Sequence, residues 1–161
     1  MTRIDITKNW NGDFIKFQGK KVVKDSTYEI GLVVEGSAKE LCPRRYGYLA
    51  ASINTQSIDR GTELGSPSEY GIEQILTLGG DLSSFKKISK PTDPLDTWVG
   101  TAVDYAPDVE YGTIKMDAQP YLRPAFHLAQ GEIVPIVSAN GKYHFGEYLI
   151  QHEQYLRSRG I

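Results

Sequence analysis

The stretch Trp98–Phe126, WVGTAVDYAPDVEYGTIKMDAQPYLRPAF, decides how the rest of the chain is read. Its first five residues, Trp98-Val99-Gly100-Thr101-Ala102, combine aromatic and β-branched side chains and suit a strand. Asp104-Tyr105-Ala106-Pro107 then turns the chain into a short acidic, aromatic segment, read as the start of a short helix, which ends at Gly112. Thr113 to Gln119 form a linker. Pro120 opens a second helix, with Tyr121, Leu122, Ala125 and Phe126 as its apolar face. No catalytic motif lies in the stretch, which reads as a scaffold that positions surfaces.

Toward the N-terminus the strongest periodic signal is helical. Ile4 and Ile6 alternate with polar neighbours like a short strand or extended arm. Asn11 then suits an N-cap, with acidic Asp13 in the first turn. From Phe14 onward the pattern is that of a helix, which Gly19 weakens by about 1 kcal/mol relative to Ala. Val23, Thr27, Ile30, Val34, Ala38 and Leu41 recur at spacings of three and four and so share one stripe. Pro43 ends the helix, because the residue before a proline is pushed out of helical geometry. Beyond a turn centred on Gly47, Leu49, Ala51 and Ile53 alternate with Ala50, Ser52 and Asn54. The run through Ile58 therefore predicts a strand with one half-buried face.

A loop from Asp59 to Pro67 leads to Ser66-Pro67-Ser68-Glu69, the residues of a capping box, and predicts a short helix to Leu78 with a stop at Gly79-Gly80. Phe85 to Pro94 reads as an exposed connection. On the C-terminal side, the second helix reaches Gln130 and stops at Gly131. Glu132 to Val137 is β-prone, Asn140-Gly141 signals a two-residue hairpin, and Lys142 to Phe145 would be the return strand. Gly146 to Arg159 is weakly helical, with Arg157 and Arg159 suited to a helix C-terminus. The expected architecture is α+β: a long N-terminal helix packed on a small, mainly antiparallel sheet with a second helix. Residues 1–130 form one domain, in which 59–96 is a long insertion with a short helix, and 131–161 form a hairpin/helix appendage.

A chain of 161 residues is long enough to bury a sizeable core. Its net charge of −2 argues against a broad basic surface for nucleic acid. Lysines cluster locally at 16–24 and 86–90, and Arg44-Arg45 sit together; such groups are commonly solvated faces. The single cysteine, Cys42, has no partner for an intramolecular disulfide, so a reducing compartment is expected. No signal peptide and no membrane-spanning stretch are evident, and a soluble chain is expected.

The residues carry little sign of chemistry. His127, His144 and His152 share no metal-ligand spacing, and no nucleophile elbow, phosphate loop or dinucleotide fingerprint occurs. Asp104, Asp108, Glu110 and Asp117 are the best carboxylate group for acid–base work or Mg²⁺. Asp104 and Asp108, however, fall where a helix start favours acidic residues. Cys42 with His127 is a weaker thiol candidate, since nothing in the sequence brings the two together. No enzyme, metal or cofactor is expected.

The order of signals resembles a known family. Glu40–Ile53, ELCPRRYGYLAASI, is similar to the helix-end and first-strand motif of the head–tail joining, or tail-completion, proteins of tailed-bacteriophage necks. That motif runs Leu-x-Pro, a turn ending in Thr-Gly, then x-Leu-x-x-Ser-Ile. Val99-Gly100-Thr101, Tyr105 to Thr113, Met116 and Gln119-Pro120-Tyr121-Leu122-Arg123-Pro124-Ala125 resemble its second signature. The likeness covers about Val22 to Ala129. Arg45-Tyr46 stands where the family has Asp-Thr, and the connection from Ile58 to Asp96 is longer than usual.

The resemblance implies a long helix on a small antiparallel sheet and a non-enzymatic virion subunit, assembled in the host cytoplasm. Such a subunit forms a ring, a hexamer being one arrangement, in the neck or at the tail top. Its partners would be copies of itself, neighbouring head-completion and tail-tube proteins, and DNA passing through the lumen without sequence-specific binding. No membrane is implied. Tyr and Arg are enriched at interface hot spots, which makes Arg44, Arg45, Tyr46, Tyr105, Tyr111, Tyr121 and Arg123 the candidate contacts. Tyr111 and Tyr121 read equally well as core aromatics. The slight negative charge suits a wall past which DNA slides, since a basic lumen would hold it. Two other classes stay open: a monomeric adaptor, and a metal-assisted hydrolase built on Asp104 to Asp117.

Overall fold

The computed structural model describes residues 12–43, 47–61, 73, 76–77 and 89–158, with backbone alone for 147–149, 151–153 and 155–156. Helix α1 runs Gly12–Leu41 with Asp13 in its first turn and Lys39 in its last, charges that complement the helix dipole. Cys42 N–H still bonds Ala38 O at 3.0 Å, and Pro43 then stops the helix. Next come α2 (Tyr48–Ser52), β1 (Asn54–Ser57), β2 (Thr97–Gly100), α3 (Ala106–Tyr111) and α4 (Leu122–Ala129). A 3₁₀ turn, Gln130–Glu132, joins α4 to α5 (Ile133–Ser158). The α+β class and the long helix on a small antiparallel sheet agree with the sequence reading.

The sheet is a two-stranded antiparallel ladder pairing Asn54 with Gly100, Thr55 with Val99, Gln56 with Trp98 and Ser57 with Thr97. It lies directly on α1 at Gly31. A Cβ there would stand 2.8 Å from the Thr55 methyl and 2.9 Å from the Thr97 methyl, so only glycine admits this approach. Thr55 Oγ1 uses the closeness to donate to Gly31 O at 3.0 Å. All four β1 residues are polar and buried. Burial of such groups is tolerable when they find partners. Ser57 Oγ donates to Arg60 O, Asn54 Nδ2 to Ser52 O, and Ser52 Oγ to Leu49 O.

The core lies where the second half of α1 meets α2, α3 and α4: Val34, Ala38, Cys42, Leu49, Ile53, Val103, Ala106, Tyr121, Ala125 and Ala129. Alanines at Ala38, Ala125 and Ala129 are almost fully buried, leaving little bulk between the helices that carry them.

Three expectations are corrected. The buried stripe of α1 is Val22, Ser26, Gly31, Val34 and Ala38, whereas Val23 and Leu41 are each 45 % exposed. Gly31 faces the sheet, Val34 and Ala38 face the hydrophobic core, and Phe17 and Leu32 are exposed. The strand expected over Leu49–Ile58 begins only at Asn54, because Tyr48–Ser52 is helical. Leu49, Ser52 and Ile53 are buried at helical spacing, and Ser52 Oγ bonds back to Leu49 O at 2.8 Å. Lastly, the hairpin around Asn140-Gly141 is absent, and α5 is a single helix through it. Asn140 Nδ2 donates to Glu29 Oε2 at 2.9 Å, and His144 Nε2 lies 2.6 Å from Asp25 Oδ2. One turn apart, both side chains face α1, a tertiary tie that overrides the local turn signal. Pro135 falls in the first turn of α5, where its missing N–H is harmless.

The Ile4/Ile6 arm and Gly79-Gly80 lie outside the described residues, as does the Ser66 helix apart from Glu73, Leu76 and Thr77. No helix among the described residues is long and apolar enough to cross a membrane.

Candidate functional site

The second signature folds into one hydrogen-bonded unit around Glu110. Helix α3 begins with Pro107 in its first turn and closes on Gly112, whose N–H bonds Asp108 O at 2.9 Å. Gly112 has φ of 76°, and a Cβ there would fall 2.7 Å from Ala118 N. The chain then makes a tight turn in which Thr113 N–H donates to Met116 O at 2.8 Å and Met116 N–H to Thr113 O at 3.3 Å. Gln119 N–H, bonded to Val109 O at 2.8 Å, brings the backbone alongside α3 again.

This return places the start of α4 on the Glu110 carboxylate. Oε2 accepts from the backbone N–H groups of Tyr121 (2.8 Å) and Leu122 (2.9 Å). Oε1 accepts from Arg123 N–H (3.1 Å) and Arg123 Nε (3.0 Å). Helix α4 has no side-chain cap of its own, so a residue eleven positions upstream supplies it. Burial opposes the Glu110 charge, but the Leu122, Tyr121 and Arg123 donors outweigh it and hold its pKa below the usual glutamate value. Arg123 also donates through Nη2 to Glu110 O, and its guanidinium stacks 4.8 Å over the Tyr111 ring.

The candidate contact residues separate accordingly. Tyr105 and Tyr111 are 42 % and 68 % exposed, and Arg123 lies on the same surface as Tyr111. Of the two readings of Tyr121, contact residue or core aromatic, its 2 % exposure favours the core, into which the capped start of α4 draws it. Burial, reinforced by Cys42 and Glu110, pushes its phenol far above the ordinary tyrosine range. Arg44, Arg45 and Tyr46 lie outside the described residues. Among the carboxylates, Glu110 turns inward while Asp104, Asp108 and Asp117 are exposed. No group of three potential metal ligands converges among the described residues. Cys42 is buried in the core, and His127 is on the exposed face of α4.

A second polar cluster escaped the sequence. Asp25 takes Arg60 Nη2 at 2.5 Å on one oxygen and His144 Nε2 at 2.6 Å on the other, joining α1, the turn after β1 and α5. Burial opposes the Asp25 charge, yet Arg60 and His144 keep its pKa below the usual aspartate value. Arg60 also stacks 4.8 Å over Tyr28, and Lys24 pairs with Asp59 at 2.6 Å. That cluster had no local signal, because its members lie 35 and 119 positions apart. The Glu110 cap had only an indirect one, a helix start at Gln119-Pro120-Tyr121 without a capping side chain.

Beside this unit, α1, β2 and α4 leave an open groove of about 580 Å³ with mainly apolar walls, among them Ile30, Val34, Val99, Leu122 and Phe126. No family model, curated protein or solved structure matches the chain.

Proposed function

We propose that this protein is a structural, ring-forming subunit of the neck or tail top of a tailed-bacteriophage particle, joining head to tail around the DNA channel. One observation carries the reading. The residues that resemble the tail-completion signature serve to build a surface: Glu110 caps α4, Gly112 makes the backward turn, Tyr121 fills the core, and Arg123 lies over Tyr111. A motif spent on internal positioning suits a scaffold, where rigid presentation of side chains lowers the entropy lost on association. The exposed Tyr105, Tyr111 and Arg123 are then available for neighbouring subunits.

The test is native mass spectrometry with negative-stain imaging, over rising protein concentration and with neck and tail-tube components added. Rings with a central hole support the proposal. A chain that stays monomeric under all of these conditions, yet holds one dedicated partner, is an adaptor and not a ring subunit.

A further inference from the structure

We propose that the subunits meet head to tail, with the Thr113–Met116 turn of one copy seated in the α1–β2–α4 groove of the next. This deepens the ring reading and rests on it. Turn tips ordinarily carry Gly, Asn, Asp, Pro or Ser. Here the tip is Ile114, whose exposure is 106 %, so the side chain stands wholly clear of its own protein; Met116 beside it is 37 % exposed. Paired Thr113–Met116 backbone bonds and the Lys115 N–H to Thr113 Oγ1 bond (3.2 Å) hold this apolar knob rigid. A preformed knob loses little entropy on docking.

The groove is its complement. Its volume of about 580 Å³ is in the usual range of ligand pockets, and Phe126 in its lining is 52 % exposed. The charges match as well. Asp96 lies on the β2 wall, and Arg123 and His127 lie on the α4 wall. The turn carries Lys115 next to Ile114 and Asp117 just after Met116. Lys115 is thus opposite in sign to Asp96, and Asp117 to Arg123, so Ile114 can seat without setting like charges against each other. Knob and groove are different surfaces of one chain, so the contact is heterologous. Such contacts close into rings, or extend as filaments where the rotation does not close.

Two measurements test this on the full chain. In the first, sedimentation velocity compares the wild type with Ile114→Asp over rising concentration. Wild type should self-associate, and the variant should do so about 10- to 100-fold more weakly with an unchanged circular dichroism spectrum, as expected for losing one buried isoleucine. The second mixes Ile114→Cys with Phe126→Cys under mild oxidation, with wild type as the control for buried Cys42. Mixed disulfide dimers should exceed the same-variant dimers several-fold. Wild-type assembly that Ile114→Asp leaves intact, with no mixed cross-link, overturns this contact and leaves the ring reading standing. Disulfides only between Ile114→Cys copies point to a symmetric knob-to-knob dimer and also overturn it. A wild type monomeric at every concentration refutes the self-driven contact, and if added neck components leave it monomeric the ring reading goes too.

Discussion

Replacing Glu110 should affect the fold more than any exposed carboxylate would. In Glu110→Ala the N–H groups of Tyr121, Leu122 and Arg123 lose their acceptor, and Arg123 Nε loses its charge partner. Loss of a helix cap costs about 1–2 kcal/mol. A hydrogen bond to a charged group contributes about 1.5–3 kcal/mol, and bonds sharing one acceptor do not add fully. Because the Glu110 side chain is 7 % exposed, water cannot readily replace it. Together these give a loss of about 3–4 kcal/mol, and about 2 kcal/mol for Glu110→Gln, which keeps one acceptor oxygen. In urea, with a slope of about 2 kcal/mol/M, the midpoint for Glu110→Ala should fall by roughly 1.5–2 M. The pH dependence has a fixed sign. A glutamate whose folded pKa is lowered adds stability above its unfolded value, near 4.5, and loses it as pH falls through the lowered folded value. The gap between wild type and Glu110→Gln should therefore be full at neutral pH and close under acid conditions. A loss below about 1 kcal/mol for Glu110→Ala at neutral pH would refute the capping role.

Three further substitutions separate the helix–sheet contact from the charge cluster. Gly31→Ala should destabilise by about 1–2 kcal/mol although alanine favours helix, because the Thr55 and Thr97 methyls stand in the way. Gly36→Ala, with nothing within 4 Å, should stabilise by up to about 1 kcal/mol, and thermal melts of the pair give the comparison. Asp25→Asn should cost about 0.5–1 kcal/mol at neutral pH, a modest figure because Arg60 and Asp25 are about one-third exposed. Since the folded Asp25 pKa is lowered, that difference should be present above about 3.8 and shrink as pH falls below it, measurable by urea titration at a series of pH values.

Elements whose cause is local are legible in the residues themselves. Asp13 and Pro43 mark the ends of α1; Pro107 and Gly112 bracket α3; and aromatic and β-branched residues mark β2. These signals act through backbone sterics and nearby charge, and they hold wherever the segment is placed. Tertiary structure decided what depends on residues far apart in the chain. Gly31 becomes a docking point only because Thr55 and Thr97 arrive there, which also turns the buried face of α1 away from Val23 and Leu41. Asn140-Gly141 carries a hairpin signal, yet ties to Glu29 and Asp25 more than a hundred positions away keep α5 helical. Leu49–Ser52 alternates like a strand but buries like a helix. Tyr121, Arg123 and Glu110 are legible as a motif. That the motif works inward, as a cap and a core with Tyr111 and Arg123 left facing out, follows from one carboxylate meeting a helix start across eleven residues.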